Sequence, residues 1–253
     1  MAILRDYQEQ AVAATYEAWN RVDSVLLEMA TGTGKTEIFA HLAKDCLAND
    51  ERALIVAPQV QLVGQAANKI KAATGIMPDI EQAENSSNEA DWCRNQFVVA
   101  SKQTLCRVKR NGTKRYEKFR NIKLLVLDEA HLFATKQSAE MVEYFRQQGA
   151  RVLGVTATAK RHDQRALGQL FGECPFQFGI VDGLDQAYLV PPMVSCVQLQ
   201  TLDLGGVETK QTVNGKDFDT AQLNERLEDL RTVYEIADVT ARECNAAKTV
   251  VYC

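Results

Sequence analysis

Two stretches hold residues whose types and spacing suit phosphate chemistry: ATGTGKT at residues 30–36 and DEAH at residues 128–131. Gly32 and Gly34 let the backbone turn tightly and bring N–H groups, with that of Thr33 between them, close to an anion. A helix beginning near Lys35 aims its positive end at the same anion. In a loop of this pattern Lys35 reaches the β- and γ-phosphates of a nucleotide, and the Thr36 hydroxyl holds Mg²⁺. Met29 stands where the standard pattern opens with glycine. A loop that merely turns a corner is the plainer alternative, and it leaves Lys35 and Thr36 unexplained. Asp128 and Glu129 follow an apolar run. Asp128 suits a place on Mg²⁺ through coordinated water, and Glu129 suits the orientation of an attacking water. Adjacent carboxylates at the end of a buried strand are costly unless a cation lies beside them. A surface acidic pair is the competing explanation.

Two further polar residues fit the same chemistry. Gln8 sits near the start of an amphipathic stretch, one turn from Arg5. Its amide donates and accepts together, which matches the N6/N7 edge of adenine and would select ATP over GTP. A solvated helix glutamine is the alternative. His131 reads as a coupling residue that hydrogen-bonds toward Thr156-Ala157-Thr158 or toward a second domain, or else as a satisfied structural histidine.

These residues need a frame. Leu4, Tyr7, Ala11, Ala14 and Ala18 recur at helical spacing over residues 4–20. Short apolar runs at 25–27, 52–58, 97–100, 123–127 and 151–155 read as buried strands. Helical patterns follow the 30–36 loop, cover 59–73 before Thr74-Gly75, and run to Gln148 before Gly149. Residues 81–91 are polar and acidic and read as a surface excursion. Alternating strands and helices predict an α/β fold, a parallel sheet with helices on both faces. Sites in such sheets lie at the carboxyl ends of the strands. ATGTGKT, SKQTL (101–105), DEAH and TATA (156–159) each follow a strand directly, so all should share one edge.

The alternation changes near AYLVPP, residues 187–192. A first domain over 1–190 is expected, then a linker and the beginning of a second domain over 191–253. In the latter, residues 193–204 read as a strand and Asn214-Gly215 as a hairpin turn. Asp219 and Gln222 read as a capping pair. One long helix should carry Leu223, Leu227, Leu230, Tyr234, Ala237, Ala241 and Cys244 on one stripe, before a strand at 249–253.

Composition narrows the class. The 253 residues are 46% hydrophobic and 25% charged, ordinary for a globular chain with a real core. No apolar run approaches a membrane span, and the N-terminus lacks the pattern of a secretion signal. The seven scattered cysteines read as reduced thiols, which points to the cytoplasm. A net charge of -4 confines any nucleic-acid contact to a local patch. One basic run, residues 107–123, is either a solvated loop or a phosphate contact.

The chain resembles the superfamily 2 helicases and translocases, nearest the DEAD/DEAH-box-like branch that includes restriction-enzyme motors and phage and repair helicases. The matching pieces are LRDYQEQAV, ATGTGKT, VAPQVQLVGQ, ASKQTL, DEAH and TAT, in order over residues 3–160, with KTVVYC similar to the start of a further motif. The resemblance implies a RecA-like, P-loop NTPase domain that binds ATP and Mg²⁺. It implies base and phosphate contacts from Arg5, Gln8, Gly32, Thr33, Gly34, Lys35 and Thr36, and hydrolysis served by Lys35, Asp128 and Glu129. It also implies coupling through His131, Thr156 and Thr158. Pro58, Gln59, Ser101, Gln103 and Thr104 match motifs that touch the nucleic-acid backbone, although Gln59 stands where many relatives have Thr. DNA is the expected partner and RNA a further one, with no membrane. The family's arginine finger lies in a second RecA-like domain, so the chain is expected to bind ATP–Mg²⁺ and hydrolyse it slowly. A restriction or remodelling motor without strand separation, and a nucleotide-dependent nucleic-acid-binding module, are the competing functions. A small-molecule kinase leaves SKQTL and TAT without a role.

Overall fold

The computed structural model describes residues 4–82, 95–108, 112–157, 167–192, 194, 196–212 and 215–244. The chain divides into two units, Met1–Pro191 and Pro192–Cys253.

In the first unit seven parallel strands form one sheet: β1 (Ser24–Met29), β2 (Arg52–Ala57), β3 (Asp79–Glu81), β4 (Phe97–Ser101), β5 (Ile122–Asp128), β6 (Arg151–Thr156) and β7 (Glu173–Phe178). Their spatial order is β3-β4-β2-β5-β6-β1-β7. The central strands are buried almost throughout because both faces are covered. Alternate residues feed two separate cores. Val25, Leu27, Ile55, Val99, Val126 and Val155 face one, with Phe39 and Ile70. Leu26, Leu54, Val98, Leu125 and Leu127 face the other, with Phe133, Met141 and Phe145. Helices α1 (Asp6–Ala18), α2 (Lys35–Ala48) and α3 (Val60–Thr74) supply the first core. The short α4 (Lys102–Leu105) and α5 (Lys136–Arg146) supply the second. Gly75 and Gly149 end α3 and α5 in left-handed conformations, the glycine stops that the sequence marks.

Two strands escape the sequence reading. β7 contains Pro175, which lacks a ladder donor, and it lies at the sheet edge where that loss is tolerated. Its register against β1 shifts between Val25 and Leu27. β3 replaces the start of the expected acidic excursion. Glu81 is fully buried there and paired with Arg115 and with Lys118, the latter at 2.8 Å. A buried carboxylate is stable only with such partners. The basic run is correspondingly tied down within the fold: Lys114 pairs with Glu140, and Arg120 lies over the Tyr144 ring at 5.7 Å. Lys109 and Arg110 lie outside the described residues.

The second unit holds an antiparallel hairpin, β8 (Thr209–Thr212) with β9 (Gly215–Phe218), where Asn214-Gly215 suggested a turn. The described residues of 193–204 form no strand, contrary to expectation. The expected long helix is two, α7 (Thr220–Leu227) and α8 (Leu230–Cys244); a short α6 (Ile180–Asp185) precedes them in the first unit. Asp229 breaks the stripe by accepting from the Arg231 N–H at 2.9 Å, as a cap does. Asp219 caps α7 by accepting from the Gln222 N–H at 3.0 Å. Gln222 Oε1 instead accepts from Glu208 N–H at 2.8 Å, so the reciprocal half of the capping box is absent. The expected strand at 249–253 lies outside the described residues.

Candidate nucleotide and nucleic-acid site

The 30–36 loop leaves β1 and enters α2. Gly32 and Gly34 have φ of 85° and 77°, left-handed conformations that favour glycine. A Cβ at Gly34 would lie 2.6 Å from Gln8 Nε2, so close approach adds a second reason for glycine there. Gly34 caps α2 without any side-chain hydrogen bond. The first N–H groups of a fourteen-residue helix therefore point into the loop with no side-chain cap, a ready anion cradle. Thr33 is buried and its hydroxyl donates to the Ala30 carbonyl at 2.6 Å, which fixes the turn from inside.

Helix α1 clasps this loop. Gln8 donates to the Thr33 carbonyl at 2.9 Å and accepts from the Arg5 N–H at 2.9 Å. The same amide nitrogen lies 3.5 Å from the Gly34 carbonyl, so its donors hold the loop and one acceptor lone pair is left for a base. Tyr7, which sequence reasoning missed as a site residue, donates to the same Thr33 carbonyl at 2.7 Å. It stacks on Phe178 at 4.2 Å, and Arg5 donates to its hydroxyl at 3.2 Å. The signal for Tyr7 was its place on the buried stripe next to Gln8, where an aromatic ring reads equally as core.

Lys35 bends back into the loop. Its ammonium donates to the Met29 carbonyl at 3.2 Å and lies 3.9 Å from Glu129 Oε1. Asp128 ends β5, and the Glu129 N–H donates to its Oδ1 at 3.0 Å. Burial, and next the charge of Glu129, push the Asp128 carboxyl above its ordinary range, while that N–H and Lys35 oppose the shift. Glu129 adopts φ 50°, ψ 56°, an unusual backbone for glutamate that costs on the order of 1–3 kcal/mol. It opens a 3₁₀ turn over Ala130–Phe133. His131 in that turn shares a 2.9 Å hydrogen bond with the Thr156 hydroxyl at the end of β6, and lies 3.5 Å from Glu129. Thr158 lies outside the described residues.

Among the described residues no three His, Cys, Asp or Glu side chains converge as a metal cage. A hydroxyl at Thr36 and a carboxylate at Asp128 are instead the hard-oxygen set suited to Mg²⁺ that keeps water and phosphate ligands. The disfavoured charge on Asp128 fits a cation at that position.

The other half of the edge follows β2 and β4. Ser101 caps α4: the Thr104 N–H donates to its Oγ at 3.3 Å, and the Ser101 hydroxyl donates to Thr104 Oγ1 at 2.7 Å. Both residues are buried, so the strand-to-helix junction holds itself rather than presenting hydroxyls outward. Pro58 is buried, whereas Gln59 and Gln103 are exposed. Pro58, Gln59, Lys102, Gln103 and Arg107 line a groove of about 640 Å³.

The family model for the type III restriction enzyme res subunit matches residues 2–161. The chain belongs to this family. It is a superfamily 2 helicase-like motor domain with a RecA-like α/β fold. IRC3 of Saccharomyces cerevisiae, classed by name among ATP-dependent helicases, is 27% identical over 88% of this chain and 32% of its own length. The type I restriction enzyme EcoAI endonuclease subunit of Escherichia coli is 29% identical over 98% of this chain and 32% of its own. The restriction-modification enzyme LlaGI, solved with a DNA substrate mimic, shares the fold at a TM-score of 0.55. It is 19% identical over 74% of this chain and 21% of its own. The chain thus spans about a third of the length of these curated relatives. No helix among the described residues is long and apolar enough to cross a membrane.

Proposed function

We propose that the first unit is the ATP-binding half of a DNA helicase or translocase motor. The uncapped start of α2 behind two left-handed glycines, beside Lys35 and the Asp128-Glu129 pair, carries this reading. The N–H groups of Gly32, Thr33 and Gly34 hold phosphate oxygens. Lys35 exchanges the Met29 carbonyl and Glu129 for the β- and γ-phosphates. Arg5 and Gln8 hold the adenine, with Tyr7 fixing the loop behind them. Thr36 and Asp128 would hold Mg²⁺, which would supply positive charge against the developing phosphate charge. Glu129 orients the attacking water. His131 and Thr156, with Thr158, link hydrolysis to movement. Pro58, Gln59 and Gln103 follow the nucleic-acid backbone, with Ser101 and Thr104 shaping the turn beneath them.

DNA is the substrate we favour over RNA, since the family and the EcoAI and LlaGI relatives are named for DNA restriction. Translocation on duplex DNA without strand separation is the second reading. Residues 191–253 are, in this proposal, the beginning of a second RecA-like domain. The direct test is titration of the 253-residue chain with a fluorescent ATP analogue and Mg²⁺. Saturable binding that ATP competes away and GTP does not is expected. No binding at millimolar nucleotide would sink the assignment. Triplex displacement without duplex unwinding would decide for the second reading.

A further inference from the structure

The groove and the carboxylate pair are joined by one side chain that the functional motifs leave unused. Lys102 follows Ser101 and is half-buried at the wall of the groove that Gln59 and Gln103 also line. Its ammonium donates to the Leu132 carbonyl and lies 5.2 Å from the centre of the Phe133 ring. Among the described residues no carboxylate takes this charge: its partners there are a neutral carbonyl and a ring face. Burial accordingly lowers the Lys102 pKa. Leu132 and Phe133 belong to the 3₁₀ turn that Glu129 opens, and the Leu132 N–H donates to the Glu129 carbonyl at 2.9 Å. The same turn holds His131 against Thr156. A continuous set of contacts therefore runs from groove wall to Lys102, Leu132 and Glu129.

A cation held by a carbonyl at the edge of a groove is open to a stronger acceptor. A phosphate oxygen offers the ammonium the same hydrogen bond as the carbonyl and adds the attraction of a full negative charge. A backbone phosphate in the groove would outcompete the Leu132 carbonyl. The turn would then lose the tie that restrains it beside a glutamate already in a strained conformation.

We infer that Lys102 is a positioning residue that couples the groove to the nucleotide site, exchanging the Leu132 carbonyl for a nucleic-acid phosphate and so releasing the turn that places Glu129. This rests on the nucleotide-site reading above. It predicts a coupling free energy between two ligands, which linkage makes reciprocal and measurable without turnover.

The experiment is the affinity of the 253-residue chain for a fluorescent ATP analogue with Mg²⁺, with and without saturating oligo-dT. The wild-type ratio of the two affinities is expected to be about fivefold or more. In Lys102→Met it should fall to near one. Lys102→Gln keeps a donor for the carbonyl without the charge, and it should also lose the coupling. Lys102→Arg should retain most of it. A plain structural role would change thermal stability in the Met variant without separating Gln from Arg. The salt slope of oligonucleotide binding should drop by about 0.7 in the Met and Gln variants. Coupling of wild-type size in both Met and Gln variants would overturn the inference. So would a wild-type chain that binds both ligands independently. A wild-type chain that fails to bind the nucleotide would instead overturn the nucleotide-site reading, and this inference with it.

Discussion

The two halves of the sheet edge are built differently. Behind β1, β5 and β6 the polar residues hold one another. Gln8 and Tyr7 meet on one carbonyl, Lys35 folds onto Met29, and His131 reaches Thr156. Behind β2 and β4 the two hydroxyls turn inward to cap a four-residue helix, and amides and basic side chains line the groove among apolar ones. The nucleotide half is preorganised, with Gln8, Tyr7, Lys35 and His131 each fixed by at least one neighbour. The groove half offers shape and scattered donors, which suits contacts to a repeating backbone that position but do not specify. Single substitutions should therefore act sharply on the first half and weakly on the second.

The largest effect is expected at Lys35. Lys35→Ala removes hydrogen bonds to charged phosphate, each worth about 1.5–3 kcal/mol, so ATP affinity should fall by roughly 10–100-fold or more. Oligonucleotide binding measured in the same preparation should hardly change. A parallel loss of both would break the division into halves. Gly34→Ala comes next. Left-handed backbone costs about 1–2 kcal/mol for a non-glycine residue, and the added carbon would displace Gln8. Both melting temperature and ATP affinity should drop.

Asp128→Asn separates charge from shape. Because burial and Glu129 raise the folded-state pKa of Asp128, its favourable contribution is complete below the unfolded carboxylate pKa and is lost as pH rises through the folded value. Without nucleotide, the Asn variant should melt above wild type at pH 7, and the gap should close toward pH 4. With Mg²⁺ and ATP the order should reverse at pH 7. A variant less stable than wild type in nucleotide-free buffer would contradict the placement of Asp128.

Ser101→Ala tests the groove. As a lost cap it should cost about 0.5–2 kcal/mol of stability with little change in oligonucleotide affinity. Unchanged stability with weakened binding would restore the direct phosphate contact that the motif resemblance implies. The smallest effect belongs to Gln59→Ala, a few-fold loss of oligonucleotide affinity from one neutral hydrogen bond of about 0.5–1.5 kcal/mol.

Most of the frame was legible because its signals are local. Apolar runs of strand length, glycine stops at Gly75 and Gly149, and the loop glycines each act within a few residues. Two of the errors fall where a distant partner decides. Glu81 reads as surface until Arg115 and Lys118 reach it, and the same pairing removes two cations from the supposed phosphate patch. Pro175 argues against a strand until the sheet order places it at an edge. The continuous stripe of α7 and α8 hides the break that Asp229 makes, since apolar spacing ignores a single cap.

For this protein the sequence alone determined the parallel α/β fold and the order of its motifs. Period and turn chemistry are properties of neighbouring residues, and strand ends line up once every crossover has the same hand. Tertiary structure decided what each motif residue touches. It turned Ser101 inward, brought Tyr7 beneath the loop, and set Lys102 between the groove and the turn that opens at Glu129. Those contacts join residues far apart in the chain, and spacing along the sequence holds no record of them.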